Sequence, residues 1–458
     1  MPELPFLFLQ RPNTTNRSKL GGGGVKYVKP SPARQAARLE ARFTAIAEGF
    51  QALQVDAVGL VPEQVIVVET LTGAVDKVAK AASLIPGLEW LAELDLDDQA
   101  PEFGFAEDGD PGANVSRRLY ALMSNQQAMN ALIDLWHRWV ADPGQRAQRG
   151  FGPFKNLFKL LKDIRRWSPE DRVRETGILE KWREHLDLGA TMLFEVEFWF
   201  RSDPASRGRA LAELQAGLQQ VNGTVVDQAA IGEIAYHAAL VEVPGAAVQQ
   251  FLQEVEQKNY SEVLRSEGVM FFRPRAQAAF GIAPMGPVTF DIEPRLAGQP
   301  LPTGAPTVAL FDGMPLAQHA SLVGRILIDD PDGLSAEYLN TGQEQHGTAM
   351  TSAVIHGDLN ATGPALQRPV YVRPILSPDS FAGQTEITPP RRLLVDLIHR
   401  AFVRLFVASN GQEAAAPSVR IVNLSIGDPS QPFDRAMSPL ARLLTGSPGG
   451  SGFSLWSA

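Results

Sequence analysis

The chain has 458 residues, of which 44% are apolar, so it is long enough for about three domains with buried cores. Its formal net charge of −9 and its lack of a dense lysine and arginine cluster argue against nucleic acid or an anionic membrane as a partner. The sequence contains no cysteine, which excludes disulfide bonds, thiolate metal sites and cysteine nucleophiles.

Residues 1–34 are predicted to form an extended arm, because they are rich in Pro, Gly, Asn and Arg and show no periodic apolar face. The apolar run at residues 5–9 is too short for the core of a signal peptide. No apolar run in the sequence approaches the roughly 20 residues that a membrane helix needs. We therefore expect a cytoplasmic protein with no membrane partner.

Residues 35–190 are predicted to form a mixed α/β region that is rich in helices. Apolar residues recur at helical spacing over residues 39–53, and the β-branched run at residues 65–68 indicates a short strand. A further helical face is predicted from five apolar residues, Phe154, Leu157, Phe158, Leu161 and Ile164.

Residues 191–280 carry a regular alternation of strand and helix patterns. The order is strand, helix, strand, strand, helix, strand, with the strands predicted at residues 192–200, 224–226, 234–243 and 269–272. This βαββαβ order predicts a small ferredoxin-like sandwich. The Pro- and Gly-rich residues 281–306 that follow are predicted to be a linker.

Residues 307–458 again alternate between strands and helices. Strands are predicted at residues 307–311, 370–375 and 419–426, with one helix that begins at His346 and another at residues 394–406. Alternation of this kind predicts an α/β fold with a parallel, doubly wound sheet.

Two motifs in this last region carry chemistry. The first motif is residues 308–313, Val-Ala-Leu-Phe-Asp-Gly, which place Asp312 at the carboxyl end of a predicted strand. The second is residues 346–352, His-Gly-Thr-Ala-Met-Thr-Ser, where His346 begins a helix of mostly small residues. An Asp/His catalytic pair is mounted on a parallel sheet in this way. Each motif alone has a simpler interpretation, since Asp-Gly is a common turn pair and a lone histidine can cap a helix. Their order along the chain favours proteolysis.

A third motif, residues 421–427, reads Ile-Val-Asn-Leu-Ser-Ile-Gly. It is an apolar strand that ends in small residues, as needed where a substrate backbone pairs with an exposed strand edge. Alone it is merely a buried strand. The candidate substrate-binding residues are Ser425, Ile426 and Gly427.

In this order the three motifs resemble the subtilisin-like serine peptidase (subtilase) family, over roughly residues 305–430. The resemblance implies that His346 is the general base of a serine endopeptidase and that Asp312 orients it, 34 residues earlier in the chain. The βαββαβ order of residues 191–280 in turn resembles the propeptide that precedes such catalytic domains and acts as an intramolecular chaperone and inhibitor. The family's usual small hydroxyl residue between Asp and Gly is absent here.

Two parts of the family's catalytic machinery have no counterpart in this sequence. Neither the oxyanion asparagine nor the Gly-Thr-Ser nucleophile box is present, and Ser425 matches a substrate-contact position rather than a nucleophile. The helical periodicity also breaks after Leu444. We therefore expect residues 307–458 to be a truncated and inactive catalytic domain, and we hypothesise that a shift of reading frame replaced the rest.

Two other functions remain open. The chain can be a pseudoprotease that binds peptides on its substrate strand without cutting them, or residues 191–274 and the helices before them can act as an inhibitor or adaptor. The expected partner in the main interpretation is a protein or peptide substrate, and family analogy adds a regulatory ATPase as a candidate. No cofactor is expected.

An acidic run, Asp-Asp-Pro-Asp-Gly at residues 329–333, contains carboxylates that could chelate calcium. Its proline and the lack of a following bidentate glutamate at loop spacing favour an exposed turn instead. We assign no metal ligand to the sequence.

Overall fold

The computed structural model describes residues 26–51, 63–71, 75, 77–174, 176–185, 189–276, 279–280, 299–357, 363–379, 386–408, 411–424, 426 and 438–445. The chain divides into two compact units, Met1–Trp167 and Ser168–Ala458. Most of the predicted arm, most of the predicted linker and the residues after 445 lie outside the described residues. Among the helices that are described, none combines the length and the apolar character needed to cross a bilayer.

The first unit is built from strands and helices in mixed order. They are β1 (Tyr27–Val28), α1 (Pro32–Gln51), β2 (Glu63–Leu71), α2 (Val78–Ala82), β3 (Leu88–Gln99), β4 (Ala106–Glu107), β5 (Val115–Asn125), α3 (Gln126–Ala141), α4 (Gly152–Leu160) and β6 (Leu161–Arg166). The main sheet is antiparallel with the strand order β3-β5-β2-β6. Alternate side chains of β2, including Ile66 and Val68, share a core with Phe43 of α1 and Trp136 of α3.

The helix predicted over residues 154–164 is wrong in its second half. The helix ends at Leu160, and Leu161 begins strand β6, which pairs with β2. Apolar residues three and four apart fit the helix, but Leu161 and Ile164 also fit an edge strand of this sheet. Hydrogen bonds to β2 favour the strand over the helix for these residues, and the local spacing of apolar residues carries no information about those bonds.

The second unit begins with elements that surround an antiparallel sheet. They are α5 (Pro169–Val173), α6 (Ile178–Glu184), β7 (Thr191–Phe198), α7 (Pro204–Gln220), β8 (Thr224–Ile231), β9 (Tyr236–Pro244), α8 (Gly245–Gln257), α9 (Glu262–Arg265) and β10 (Val269–Pro274). The sheet order is β10-β7-β9-β8, and every pairing is antiparallel. Leu214 of α7 and Phe251 of α8 pack on one face of the sheet. Trp182 of α6 joins the same core, although the sequence placed residues 168–184 with the N-terminal region.

The rest of the second unit contains a parallel sheet and a small antiparallel one. The elements are β11 (Ala279–Phe280), β12 (Val308–Asp312), β13 (Ile326–Ile328), α10 (Gln345–His356), β14 (Val370–Pro374), β15 (Ser377–Pro378), β16 (Glu386–Ile387), α11 (Leu394–Phe406), β17 (Ile421–Asn423) and α12 (Pro439–Thr445). The parallel sheet has the order β13-β14-β12-β17, and the small sheet has the order β11-β16-β15. The protein is therefore a mixed α/β structure with both parallel and antiparallel sheets.

Both faces of the parallel sheet are covered, because successive side chains of its strands point to opposite sides. Leu310 of β12 packs with Ile355 of α10 on one face. Phe311, its neighbour, packs with Ile398 of α11 on the other face. Tyr236 of the antiparallel sheet also belongs to that second core.

Strand β12 occupies the position where the direction of the chain across the sheet reverses. From β12 the chain passes to β13 and β14 on one side, and it then crosses to β17 on the other side. Ligands of open α/β sheets bind outside the carboxyl ends of strands at such a reversal. The residues that follow β12 are therefore well placed for a functional site.

Candidate active site

Asp312 is the last residue of β12 and lies at the carboxyl end of the parallel sheet. Its backbone carbonyl accepts a hydrogen bond from Ile375 N at 2.8 Å, which ties the end of β12 to the segment after β14. Its carboxylate Oδ1 accepts from Gly313 N at 2.7 Å. The residue is 0% exposed. The sheet thus holds a fully buried carboxylate in one orientation.

His346 lies in the first turn of α10, and the structure brings its side chain to Asp312. The distance between His346 Nδ1 and Asp312 Oδ1 is 2.6 Å, and His346 is 6% exposed. An ionised carboxylate only accepts hydrogen bonds, so Nδ1–H is the donor. This bond fixes the tautomer and leaves Nε2 as the nitrogen that can take a proton. The predicted Asp/His pair is therefore formed.

The two residues after His346 allow α10 to start against the loop that follows β12. A methyl group added to Gly347 would lie 2.6 Å from Gly313 O and 2.7 Å from Met314 O. The Thr348 hydroxyl accepts from Leu316 N at 2.8 Å. Because the nearest obstacles are backbone atoms, a side chain at Gly347 would push the helix away from the loop.

Glu386 is the third ionisable side chain of the site, and the sequence did not reveal it. It is 1% exposed and comes from β16 in the small antiparallel sheet. Its Oε2 atom lies 4.0 Å from His346 Nδ1, and its Oε1 atom accepts a hydrogen bond from the Tyr338 hydroxyl at 2.6 Å. A methyl group added to Gly313 would lie 1.7 Å from Oε1. The missing side chain at position 313 provides the room that the Glu386 carboxyl occupies.

Burial and neighbouring charges shift the protonation of this group. Burial raises the pKa of Glu386 to about 7; the Tyr338 hydrogen bond opposes this shift and the Asp312 charge adds to it. Burial alone would lower the pKa of His346, but the hydrogen bond and charge of Asp312, with the charge of Glu386, outweigh it and raise the pKa. Within the described part of the chain, Asp312 Oδ2 and Glu386 Oε2 accept no hydrogen bond. The imidazole is therefore the main charged partner of two buried carboxyls.

Asp312, His346 and Glu386 offer one donor atom each within 4.8 Å of one another, as the ligands of a metal ion could. Two ligands of a tetrahedral zinc lie about 3.4 Å apart, because each is about 2.1 Å from the metal. His346 Nδ1 and Asp312 Oδ1 are only 2.6 Å apart, which is a hydrogen-bond distance. The geometry favours a pair that shares a proton.

The candidate substrate strand is described only in part. Strand β17 pairs in parallel with β12, Val308 opposite Ile421, and Ile421 is 61% exposed. Ile426 packs at the edge of the core that contains α11. Ser425 and Gly427 lie outside the described residues, so their predicted contact with substrate stays a prediction.

The acidic run at residues 329–333 forms an ionic network with arginines. Asp332 is bound by both Arg373 and Arg400, and Asp329 accepts from Arg404 at 3.1 Å. Most of the Asp332 side chain is buried, at 8% exposed, so the prediction of an exposed turn is wrong for this residue. Its charge is satisfied by guanidinium groups rather than left for an ion.

No protein-family model matches this sequence, and no curated protein matches it either. The interpretation of the site therefore depends on the motifs and on the geometry of Asp312, His346 and Glu386. The resemblance to subtilisin-like peptidases remains a prediction from the sequence.

Proposed function

We propose that this chain is, by family, a serine-type endopeptidase of the subtilisin-like class that supplies the Asp and His of an Asp-His-Ser triad and that is inactive without the serine box its sequence lacks. The observation that carries the proposal is the 2.6 Å hydrogen bond between His346 Nδ1 and Asp312 Oδ1 in a buried site. In such a triad Nε2 takes the proton of a serine hydroxyl and returns it to the leaving amine, while the aspartate stabilises the imidazolium. The substrate is a protein or peptide. In a form that carries the serine, the serine oxygen takes the acyl group as the amine leaves, and water then releases the acid.

The arrangement of the parallel sheet supports this proposal. Asp312 ends a strand at the point of chain reversal, and His346 opens a helix that covers one face of the sheet. A doubly wound sheet needs both faces covered, as they are by α10 and α11.

The antiparallel sheet supports a propeptide-like role for residues 191–280. The strand order β10-β7-β9-β8, with two helices on one face, suits a ferredoxin-like sandwich. On the opposite face, Tyr236 and Leu240 share a core with Leu394 of α11. In this proposal the sandwich holds the helices of the catalytic region in place as an intramolecular chaperone.

The decisive test concerns the serine, since the sequence contains no Gly-Thr-Ser box. The gene is sequenced beyond codon 444, the encoded protein is expressed, and a fluorophosphonate probe is added, which modifies an activated serine. We expect labelling and peptide hydrolysis that His346→Ala abolishes.

The matched control is His356→Gln at the other end of α10. The His356 ring forms a hydrogen bond with Ser321 O at 2.8 Å rather than with a residue of the Asp312 and His346 site. It is expected to label normally. Labelling that survives His346→Ala, or no labelling of a protein from an intact reading frame, would contradict the peptidase proposal.

A second candidate is a peptide-binding pseudoprotease. It is favoured by the absence of the serine box and by the exposed Ile421 on the strand beside β12. Fluorescence anisotropy with labelled peptides, together with mass spectrometry of the same samples, separates the two. Binding without cleavage and without fluorophosphonate labelling indicates the pseudoprotease.

A further inference from the structure

A buried carboxyl group lies against the Asp/His pair and has no role in the triad. Glu386 Oε2 is 4.0 Å from His346 Nδ1, while Asp312 Oδ1 is 2.6 Å from the same nitrogen. Both carboxyls are almost fully buried. Two acids in a water-poor space beside one imidazole influence each other and the ring.

We propose that Glu386 is a positioning residue, which acts through the His346 imidazole and sets its charge together with Asp312. The inference rests on the proposed function, in which His346 is the general base. Within that function, Glu386 controls the protonation of His346.

Three separate features hold the Glu386 carboxyl in its place. Strand β16 is paired on both sides, with β11 and with β15. The Tyr338 hydroxyl bonds Oε1 at 2.6 Å and itself accepts from Met314 N at 3.0 Å. Gly313 leaves open the space that Oε1 fills. The position of the Glu386 carboxyl is therefore fixed by its strand, by the Tyr338 hydrogen bond and by the space at Gly313.

The charged and titratable groups that lie against the imidazole or Glu386 in the described part of the chain include Asp312 from β12 and Tyr338 from the turn before α10. Burial beside Glu386 raises the pKa of Tyr338, so the phenol stays neutral and serves as a donor. Protonated Glu386 adds no charge near Nδ1. Ionised Glu386 adds a negative charge that favours the imidazolium.

This coupling determines how the base responds to pH. As pH rises through about 7, Glu386 ionises, and its negative charge 4.0 Å from Nδ1 adds to that of Asp312 and keeps the imidazolium to higher pH. A general base must be neutral to act. Glu386 thus moves the active form of His346 towards alkaline pH and reduces its fraction near neutrality.

The experiment is an NMR titration of the protein with ¹³C-labelled histidine. The sequence has seven histidines, and the His346 signal is assigned by its loss in His346→Asn. In Glu386→Gln, which keeps the shape of the side chain and removes its charge, the midpoint of His346 is expected to fall by about one pH unit.

The matched control is Glu344→Gln, which removes a carboxylate two residues before His346 that makes no ion pair with the ring. Its His346 midpoint is expected to stay within a few tenths of a unit of the parent value. Glu386→Asp keeps the negative charge but moves it further from Nδ1. It replaces Glu386→Gln in the experiment if that variant does not fold, and the His346 midpoint is then expected to fall by a smaller amount.

An unchanged His346 midpoint in Glu386→Gln, or in a folded Glu386→Asp when the first variant does not fold, would overturn the proposal. The readout does not require a nucleophilic serine, so it is independent of the labelling test. If fluorophosphonate labelling fails but the His346 midpoint shifts in Glu386→Gln, the coupling between Glu386 and His346 stands and the peptidase proposal does not. If labelling succeeds but the midpoint is unchanged, only the proposed role of Glu386 is lost.

Discussion

Gly313 and Glu386 compete for one space. The subtilisin-like motif usually carries a small hydroxyl residue after its aspartate, whereas this chain has glycine there and a glutamate carboxyl from a distant strand. A side chain at position 313 would have to displace Oε1, and that displacement would break the hydrogen bond from Tyr338. The two positions should therefore be energetically coupled.

Gly313→Ala alone is expected to lower the free energy of unfolding by roughly 1–3 kcal/mol, because it overpacks a buried site. In a Glu386→Ala background the same change is expected to cost less than about 1 kcal/mol, since the carboxyl is gone. Urea unfolding of the two single variants and the double variant measures the coupling.

Gly363→Ala is the control for these variants, because nothing lies within 4 Å of a methyl group there. It is expected to behave alike in both backgrounds. Equal costs of Gly313→Ala with and without Glu386 would show that the two side chains do not compete.

At the scale of the element, the start of α10 depends on close contact with the loop after β12. Gly347→Ala places a methyl group against two backbone carbonyls, so we expect a loss of about 3 kcal/mol or a failure to fold. Gly208→Ala in α7 meets nothing within 4 Å and is expected to stabilise the protein by up to about 1 kcal/mol.

Thermal unfolding of both variants checks this contrast. The His346 signal in NMR should shift in Gly347→Ala and stay in place in Gly208→Ala. A Gly347→Ala protein as stable as its parent would mean that the helix can start further from the loop.

Strong local patterns predicted individual elements well. Helix α11 covers Leu394–Phe406, the range that its apolar spacing predicts, and the βαββαβ order of residues 191–274 also matches the observed elements. Asp312 and His346 could be found because each begins or ends an element whose pattern is clear. Their residue types also indicate the chemistry.

Glu386 could not be found in the same way. It lies on a strand of two residues within a short polar stretch, and its role depends on packing against β12 and α10. The glycine at position 313 was the available signal, since a missing side chain in a buried motif implies that another group fills the space. Which group fills it depends on tertiary structure.

At the scale of the whole molecule, buried acids should make stability depend on pH. Burial raises the pKa of Glu386 and of Glu195 to about 7, so between about pH 4.5 and 7 the folded state binds more protons than the unfolded state. The stabilisation is present below the unfolded pKa and is lost as pH rises through the folded pKa. Burial lowers the pKa of His237 to about 4, which has the opposite effect as pH falls.

Comparison with Glu386→Gln isolates the contribution of one acid. The variant's free energy of unfolding, relative to the parent, is expected to rise by on the order of 3 kcal/mol between pH 4.5 and 7.5. Urea denaturation at several pH values measures this difference. A constant difference across that range would contradict a raised pKa for Glu386.

The ion pair between Glu197 and Arg442 has a consequence for synthesis on the ribosome. Glu197 is buried in β7 and is held by Arg273 and by Arg442 of α12, which follows 245 residues later. At about 5–20 residues per second, the second partner emerges some tens of seconds after the carboxylate. Arg273 follows Glu197 by 76 residues, so it can neutralise this acid before Arg442 is available. The second ion pair of Glu197 therefore forms only after α12 has been synthesised.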